Sequence, residues 1–360
     1  MMRIIALIVM ATFFTENLPS ALAGPVSNPE PKPGANQPQE LGSIDWVRGF
    51  GTAVKKAKTE NKPLLVLFQE VPGCHTCVDY GDQVSSHPLI MDAASSLFVP
   101  VAIYNNIKGD DERTLKSFKE PAWNNPVVRI LTADRRPLTK RVAEDYTVGG
   151  LASAMVEALK NDHRQVPPYL RLLVEESTAR TRGLSRATFA MHCFWEGEGA
   201  LGTVPGVIST MPGFLQKEEI VEVQFDPGEI EYAALVRKAQ ALDCATRVYA
   251  RSDAQRASAQ RIVGSSVVRT DAAIRPDKTP KYYLAQTVYR HVPMTGLQAS
   301  RVNAAIGKKQ NPDRFLSPGQ AALLQVIKQH AGAGWPVAIG AKNLPKAWRA
   351  AQAVARSLRQ

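Results

Sequence analysis

The chain has 360 residues, 44% of them hydrophobic and 21% charged, a composition that can bury substantial cores and excludes a wholly disordered protein. Length alone suggests roughly two or three domains. The formal net charge is +11, but the basic residues are scattered rather than interleaved with aromatics, so the charge reads as solubility and not as a nucleic-acid surface. Four cysteines are too few for a disulfide scaffold, and their spacing has to decide what they do.

Arg3, the apolar run Ile4 to Phe14 and Ala21-Leu22-Ala23 before Gly24 have the layout of a signal peptide over residues 1–23. The run is shorter than the roughly 20 residues a spanning helix needs. The expectation is a periplasmic or secreted protein with no stable membrane insertion after cleavage. Losing Arg3 and Glu16 leaves the net charge unchanged. Residues 24–40, rich in Pro, Asn, Gln and Glu, read as a linker.

Trp46, Phe50, Ala53 and Ala57 lie at helical spacing within Ser43–Lys58, and LLVLFQ at Leu64–Gln69 reads as a buried strand. Further apolar runs occur at Leu97–Tyr104 and Val127–Leu131, with a turn at Ala133–Arg136 and a helix expected over Gly149–Lys160. This alternation predicts an α/β domain over residues 41–160. Residues 161–184 are polar, contain Pro167 and Pro168, and read as a connector. Strands are expected at Ala187–Met191 and Ile220–Phe225, and Asp226-Pro227 looks like the start of a helix through Leu242. A second domain over 185–315 follows, then a helical extension over 316–360. In that extension Ser317-Pro318 opens one helix through Gln329, and a basic helix begins near Pro345.

Cys74-His75-Thr76-Cys77 follows a strand and stands at the expected start of a helix. Amides at a helix N-terminus favour thiolate over thiol, so Cys74 is the candidate nucleophile. Cys77, one turn on, would resolve the mixed disulfide. A static staple, or half a metal site completed by His75 or His87, is the alternative.

The stretch Asn61-Lys62-Pro63-Leu64-Leu65-Val66, the CxxC pair, and Asn125-Pro126-Val127 together resemble the thioredoxin superfamily. The resemblance implies a cis-proline at Pro126 that flanks the reactive sulfur and guides an extended substrate. Val71-Pro72-Gly73-Cys74 is similar, more narrowly, to a thioredoxin-like family with V-P-G before selenocysteine or cysteine. Two departures stand out: Gly73 replaces the usual tryptophan, and Phe68 stands where a buried acid commonly assists proton transfer. Glu70 is the candidate substitute for that acid.

Met191-His192-Cys193-Phe194-Trp195-x-x-Glu198 resembles the G-C-F-W signature of A-type peptide methionine sulfoxide reductases, with His192 in place of glycine. The similarity continues through Gly213-Phe214 to Val221–Pro227. It implies that Cys193 attacks the sulfoxide sulfur, that Glu219 is the acid, and that Phe194 and Trp195 hold the substrate methyl group. Phe214 occupies the position of a family tyrosine, and Arg251–Arg256 offers no counterpart of the family's later Asp and Tyr. A sulfenic acid on Cys193 would need a second thiol to reduce it; Cys244 could resolve it, form a structural disulfide with Cys193, or stay inert.

The fold expected is therefore α/β and α+β, a thioredoxin-like domain followed by a methionine sulfoxide reductase A-like domain. Oxidised proteins or peptides and a thiol reductant are the expected partners, with no nucleic acid, cofactor or metal. A redox-inactive peptide-binding protein and a metal-handling protein are the competing classes.

Overall fold

The computed structural model describes residues 37–358. The signal peptide, its cleavage site and the linker up to residue 36 lie outside the described residues. Chain order begins with β1 (Val47–Arg48), α1 (Phe50–Glu60), β2 (Leu64–Gln69), α2 (His75–Tyr80), α3 (Pro88–Leu97), β3 (Val99–Tyr104), α4 (Asp110–Ser117), β4 (Val127–Leu131) and α5 (Val148–Asn161). The first sheet has the order β1-β3-β2-β4, with β1 and β2 parallel to β3 and β4 antiparallel to β2.

The central strand β2 is buried along its whole length because both faces are covered. Leu65 and Leu67 pack with Leu89, Ile90 and Met155 on one side, while Leu64, Val66 and Phe68 pack with Phe50 and Ala53 on the other. That two-sided burial explains why the strand reads as an uninterrupted apolar run.

Three sequence expectations shift here. The helix expected over Ser43–Lys58 starts only at Phe50, because Gly49 takes φ +88° and Val47–Arg48 pair with Val101 and Ala102 as an edge strand. Leu97 closes α3 and does not open β3. Ordered structure also begins inside the stretch read as a linker over 24–40: Gln39–Leu41 form a 3-10 turn with Glu40 and Leu41 buried, and the Trp46 indole donates to the Leu41 carbonyl at 2.9 Å.

The stretch read as a connector contains α6 (Pro168–Arg182). Tyr169, Leu170 and Leu173 join the first domain's core, while Leu172 and Ala179 pack with Ile208 and Leu297. The helix therefore contributes to two cores, and its charged outward residues conceal the apolar ones from a composition-based reading.

Next come β5 (Ser185–Ala190), α7 (Phe194–Leu201), β6 (Val207–Leu215), β7 (Glu218–Phe225), α8 (Tyr232–Ala241), β8 (Arg247–Ala250), α9 (Asp253–Val263), β9 (Val267–Arg269) and β10 (Arg275–Pro276). These strands form a mostly antiparallel sheet, β10-β6-β7-β5-β8-β9, in which only β8 and β9 pair in parallel. The helix expected from Asp226 starts later, at Tyr232. The Asp226 carboxylate instead accepts from the Gly228 amide at 2.8 Å and from Arg182 at 3.1 Å, which makes a turn ahead of α8.

The chain ends with α10 (Tyr282–Ala285), α11 (Gly296–Gly307), α12 (Pro318–Gln329) and α13 (Leu344–Ser357). Ser317 and Gln320 make a reciprocal capping box on α12. Asp92 of α3 accepts from the Ser317 hydroxyl and from the Gly319 amide, the latter at 3.0 Å. Leu344 of α13 reaches the first core. The C-terminal helices are thus fastened to the first domain.

Candidate functional site

Cys74 caps α2 in extended conformation and is exposed, while Cys77 in the first turn is buried. Their sulfurs lie 3.6 Å apart as free thiols. The backbone and thiol of Cys77 and the backbone of Thr76 hold the Cys74 thiol below its ordinary value, against a smaller opposing effect of burial. Burial, followed by the neighbouring Cys74, pushes the Cys77 thiol up to about 12. Near neutral pH the outer sulfur is therefore the better nucleophile and the inner one retains its proton.

Cys77 Sγ donates to Asn125 Oδ1 at 2.6 Å, and the other end of that amide donates to the Ala122 carbonyl at 3.4 Å. The Asn125–Pro126 bond is cis, as the resemblance implies, and Val71–Pro72 is cis as well. Gly73 has a steric reason: a Cβ there would run into the Glu70 carbonyl and lie 2.7 Å from Cys77 Cβ. No tryptophan fits at that position with this loop.

Glu40 holds the loop from the other side. Its carboxylate accepts from the Gly73 amide at 2.8 Å, and its carbonyl accepts from Gln69 Nε2, which also donates to the Cys77 carbonyl. Sequence reasoning left Glu40 in the linker; nothing in a Pro- and Gln-rich stretch marks it as part of a site. Asn106 is a second missed support, accepting from the Val71 amide at 3.3 Å and donating to the Pro72 carbonyl at 3.2 Å. In the segments that carry Asn125 and Asn106, Trp123 is 82% exposed and Ile107 45% exposed.

Glu70 presents a carboxylate oxygen within 4.8 Å of both sulfurs. His75 turns away to pair with Asp79 at 3.1 Å, and His87 is buried, with its imidazole held down at about 4 by desolvation.

In the second region Cys193 caps α7 and is half-buried. Glu219 on β7 reaches the same helix terminus, where its Oε2 accepts from the Phe194 amide at 2.9 Å. The fold thus brings a carboxylate to the residue after the cysteine, across 25 positions of sequence. Phe194, Trp195 and Phe214 cluster with ring centroids 5.2–5.4 Å apart, and the Arg275 guanidinium lies 4.1 Å above the Phe214 ring.

The aromatic wall has a part that the sequence analysis did not find. Tyr282 stacks on Trp195 at 3.9 Å and 12°, and Asp277 accepts from the Trp195 indole at 3.4 Å. Lys281 pins this segment: its ammonium donates to Glu198 Oε1 at 2.8 Å and to the Thr210 carbonyl at 2.5 Å, with its own amide on Glu198 Oε2. Glu198 is therefore half of a buried ion pair. No local pattern links residues 198 and 281, so only the fold reveals the pair.

Cys244 is buried in the second core with Phe194, Val221 and Val248. Its thiol donates to the Leu242 carbonyl at 3.2 Å, and burial pushes it up to about 11.

These features define an α/β protein with a thioredoxin-like domain, and residues 45–133 match the family model described as thioredoxin-like. The chain is also similar, over a small part of its length, to two peptide methionine sulfoxide reductases named MsrA. The one from Methanoculleus marisnigri is 36% identical over 75 residues, 16% of this chain and 46% of the relative. The one from Geobacter sulfurreducens is 38% identical over 71 residues, 15% of this chain and 44% of the relative. The chain spans less than half the length of the curated relatives it matches. A solved structure named DsbH oxidoreductase aligns over 34% of this chain and 90% of its own length at 16% identity, with a TM-score of 0.28.

Proposed function

We propose that the chain is an exported thiol–disulfide oxidoreductase whose second region reduces methionine sulfoxide in oxidised peptides. The observation that carries the first half is the asymmetric pair: an exposed Cys74 sulfur made more acidic by backbone donors, 3.6 Å from a buried Cys77 that keeps its proton. Cys74 thiolate attacks one sulfur of a partner disulfide, forming a mixed disulfide and expelling the partner's other sulfur as a thiolate. Cys77, giving its proton to Glu70 or water, then attacks Cys74 and releases the partner as a thiol. The exposed Trp123, three residues before the cis-proline, offers apolar surface to the incoming chain.

For the second half, the Cys193 thiol takes the oxygen from the sulfoxide, leaving a thioether and a sulfenic acid; the thiol proton passes to the departing oxygen, with the Glu219 carboxyl placed at the helix terminus to relay it. Phe194, Trp195 and Phe214, backed by Tyr282, receive the S-methyl group. A thiol then condenses with the sulfenic acid, releasing water, and a dithiol returns the cysteine to its starting state.

Turnover of a methionine sulfoxide peptide with dithiothreitol tests this half in wild type, Cys193→Ser and Cys74→Ser. Loss confined to Cys193→Ser is the expected result, and an inactive wild type would remove the second activity. The metal-handling alternative rests on the closeness of Glu70 to the two sulfurs; stoichiometric zinc or copper after purification, lost in Cys74→Ser, would favour it over thiol exchange.

A further inference from the structure

We infer that Arg275 is a specificity-determining residue of the Cys193 site that receives a side-chain carboxylate of the substrate, so that the preferred substrates are oxidised peptides with an acidic residue close to the methionine sulfoxide. This rests on the sulfoxide-reduction reading above. Arg275 on β10 pairs directly with Phe214 on β6, and Phe214 pairs directly with Glu219 on β7. Side chains of directly opposed residues project to the same face of a sheet, so the three form a row across it. The Glu219 end of the row meets the Phe194 amide beside Cys193, and the Arg275 end lies on the edge strand.

Gly213 makes this row possible: a Cβ there would lie 2.7 Å from the Arg275 carbonyl, so a larger residue would push β10 away. Two residues beyond Arg275, the Asp277 amide donates to the Pro212 carbonyl at 2.9 Å, and the Asp277 carboxylate holds the Trp195 indole. One short segment thus serves both ends of the aromatic wall. The Arg275 guanidinium lies 4.1 Å above the ring of Phe214, which has no hydroxyl to offer and acts as a platform that orients the cation. The other strand arginines of this sheet have carboxylate partners: Arg186 with Glu222, Arg247 with Glu218 and Arg269 with Asp271. Arg275 is exposed and pairs with no carboxylate among the described residues, and nearby Asp277 is taken up by Trp195 and by the Thr279 amide. A planar, oriented guanidinium with free N–H groups binds a carboxylate more strongly than a neutral acceptor. Two strand spacings, roughly 10 Å, separate it from Glu219, and two positions of extended peptide span roughly 7 Å before side chains add their reach. A residue one or two positions from the sulfoxide is the matching group.

The test compares kcat/KM, with dithiothreitol as reductant, for methionine sulfoxide peptides that carry Asp or its neutral isostere Asn at one of the two positions on either side of the sulfoxide. Wild type, Arg275→Lys, Arg275→Met and Lys278→Gln are measured; Lys278 is an exposed neighbouring base that separates direct contact from the general positive field. At one position or more, wild type is expected to prefer Asp over Asn roughly threefold to tenfold, the range of a partly exposed charged hydrogen bond, with the difference in KM. Arg275→Met should abolish that preference, Arg275→Lys should retain part of it, and Lys278→Gln should keep it. Equal turnover of Asp and Asn peptides by wild type at every position, a preference that survives in Arg275→Met, or an equal loss in Lys278→Gln overturns the inference. If wild type turns over none of the peptides, the sulfoxide-reduction reading itself fails, and the inference falls with it.

Discussion

Cys74 and Cys77 sit one helical turn apart, yet their surroundings push their thiols in opposite directions: backbone donors act on the exposed sulfur and desolvation on the buried one. Alkylation should separate them. Iodoacetamide at pH 7–9 is expected to modify Cys74 and spare Cys77, as read by peptide mass mapping, because a thiol near 12 contributes almost no thiolate in that range. Cys244, near 11 and buried, should behave like Cys77. It follows that Cys244→Ser should keep methionine sulfoxide turnover with dithiothreitol within about twofold of wild type, since a thiol so poorly ionised resolves slowly. A loss of turnover in that variant would mean that the core opens during catalysis. Gly73→Ala should destabilise the fold by about 1–3 kcal/mol in urea unfolding, because the new methyl meets the Glu70 carbonyl and Cys77 Cβ.

The elements that carry the chemistry were legible where their signal is local. Residues 64–69 read as a buried strand because both faces of β2 are apolar, and the CxxC motif marked the start of α2. Glu219 was pointed to by the resemblance to the A-type reductases alone, and its carboxylate does meet the helix that Cys193 caps. What could not be read were contacts between distant segments: Glu40 on the Gly73 amide, Lys281 on Glu198, and Tyr282 on Trp195. The α6 helix was missed because its buried residues serve two different cores and leave no single apolar stripe of ordinary strength.

The junction of α3 and α12 also has a pH consequence. Burial pushes the Asp92 carboxyl up to about 6, although Ser317 and Gly319 donate to it and act in the opposite sense. A carboxyl raised in the folded state binds a proton there that the unfolded chain has already released. Stability should accordingly fall as pH rises from about 4 to about 6 and then level off, by on the order of 3 kcal/mol. Asp92→Asn should flatten that dependence in urea titrations. An unaltered pH profile would show that Asp92 is not the group responsible.

At the scale of the whole molecule, the described residues, 37–358, lie within one compact unit, so the Cys74/Cys77 pair and Cys193 share one frame. The α6 helix feeds both cores, while α12 and α13 return to the first domain. The central claim nevertheless concerns the first site alone, and a trapping experiment reaches it most directly. Cys77→Ser should capture a disulfide-bonded peptide as a stable mixed disulfide on Cys74, because the resolving sulfur is gone, and the adduct should disappear in the double variant Cys74→Ser/Cys77→Ser. Absence of an adduct in Cys77→Ser, or equal trapping in the double variant, would contradict the assignment of Cys74 as the nucleophile.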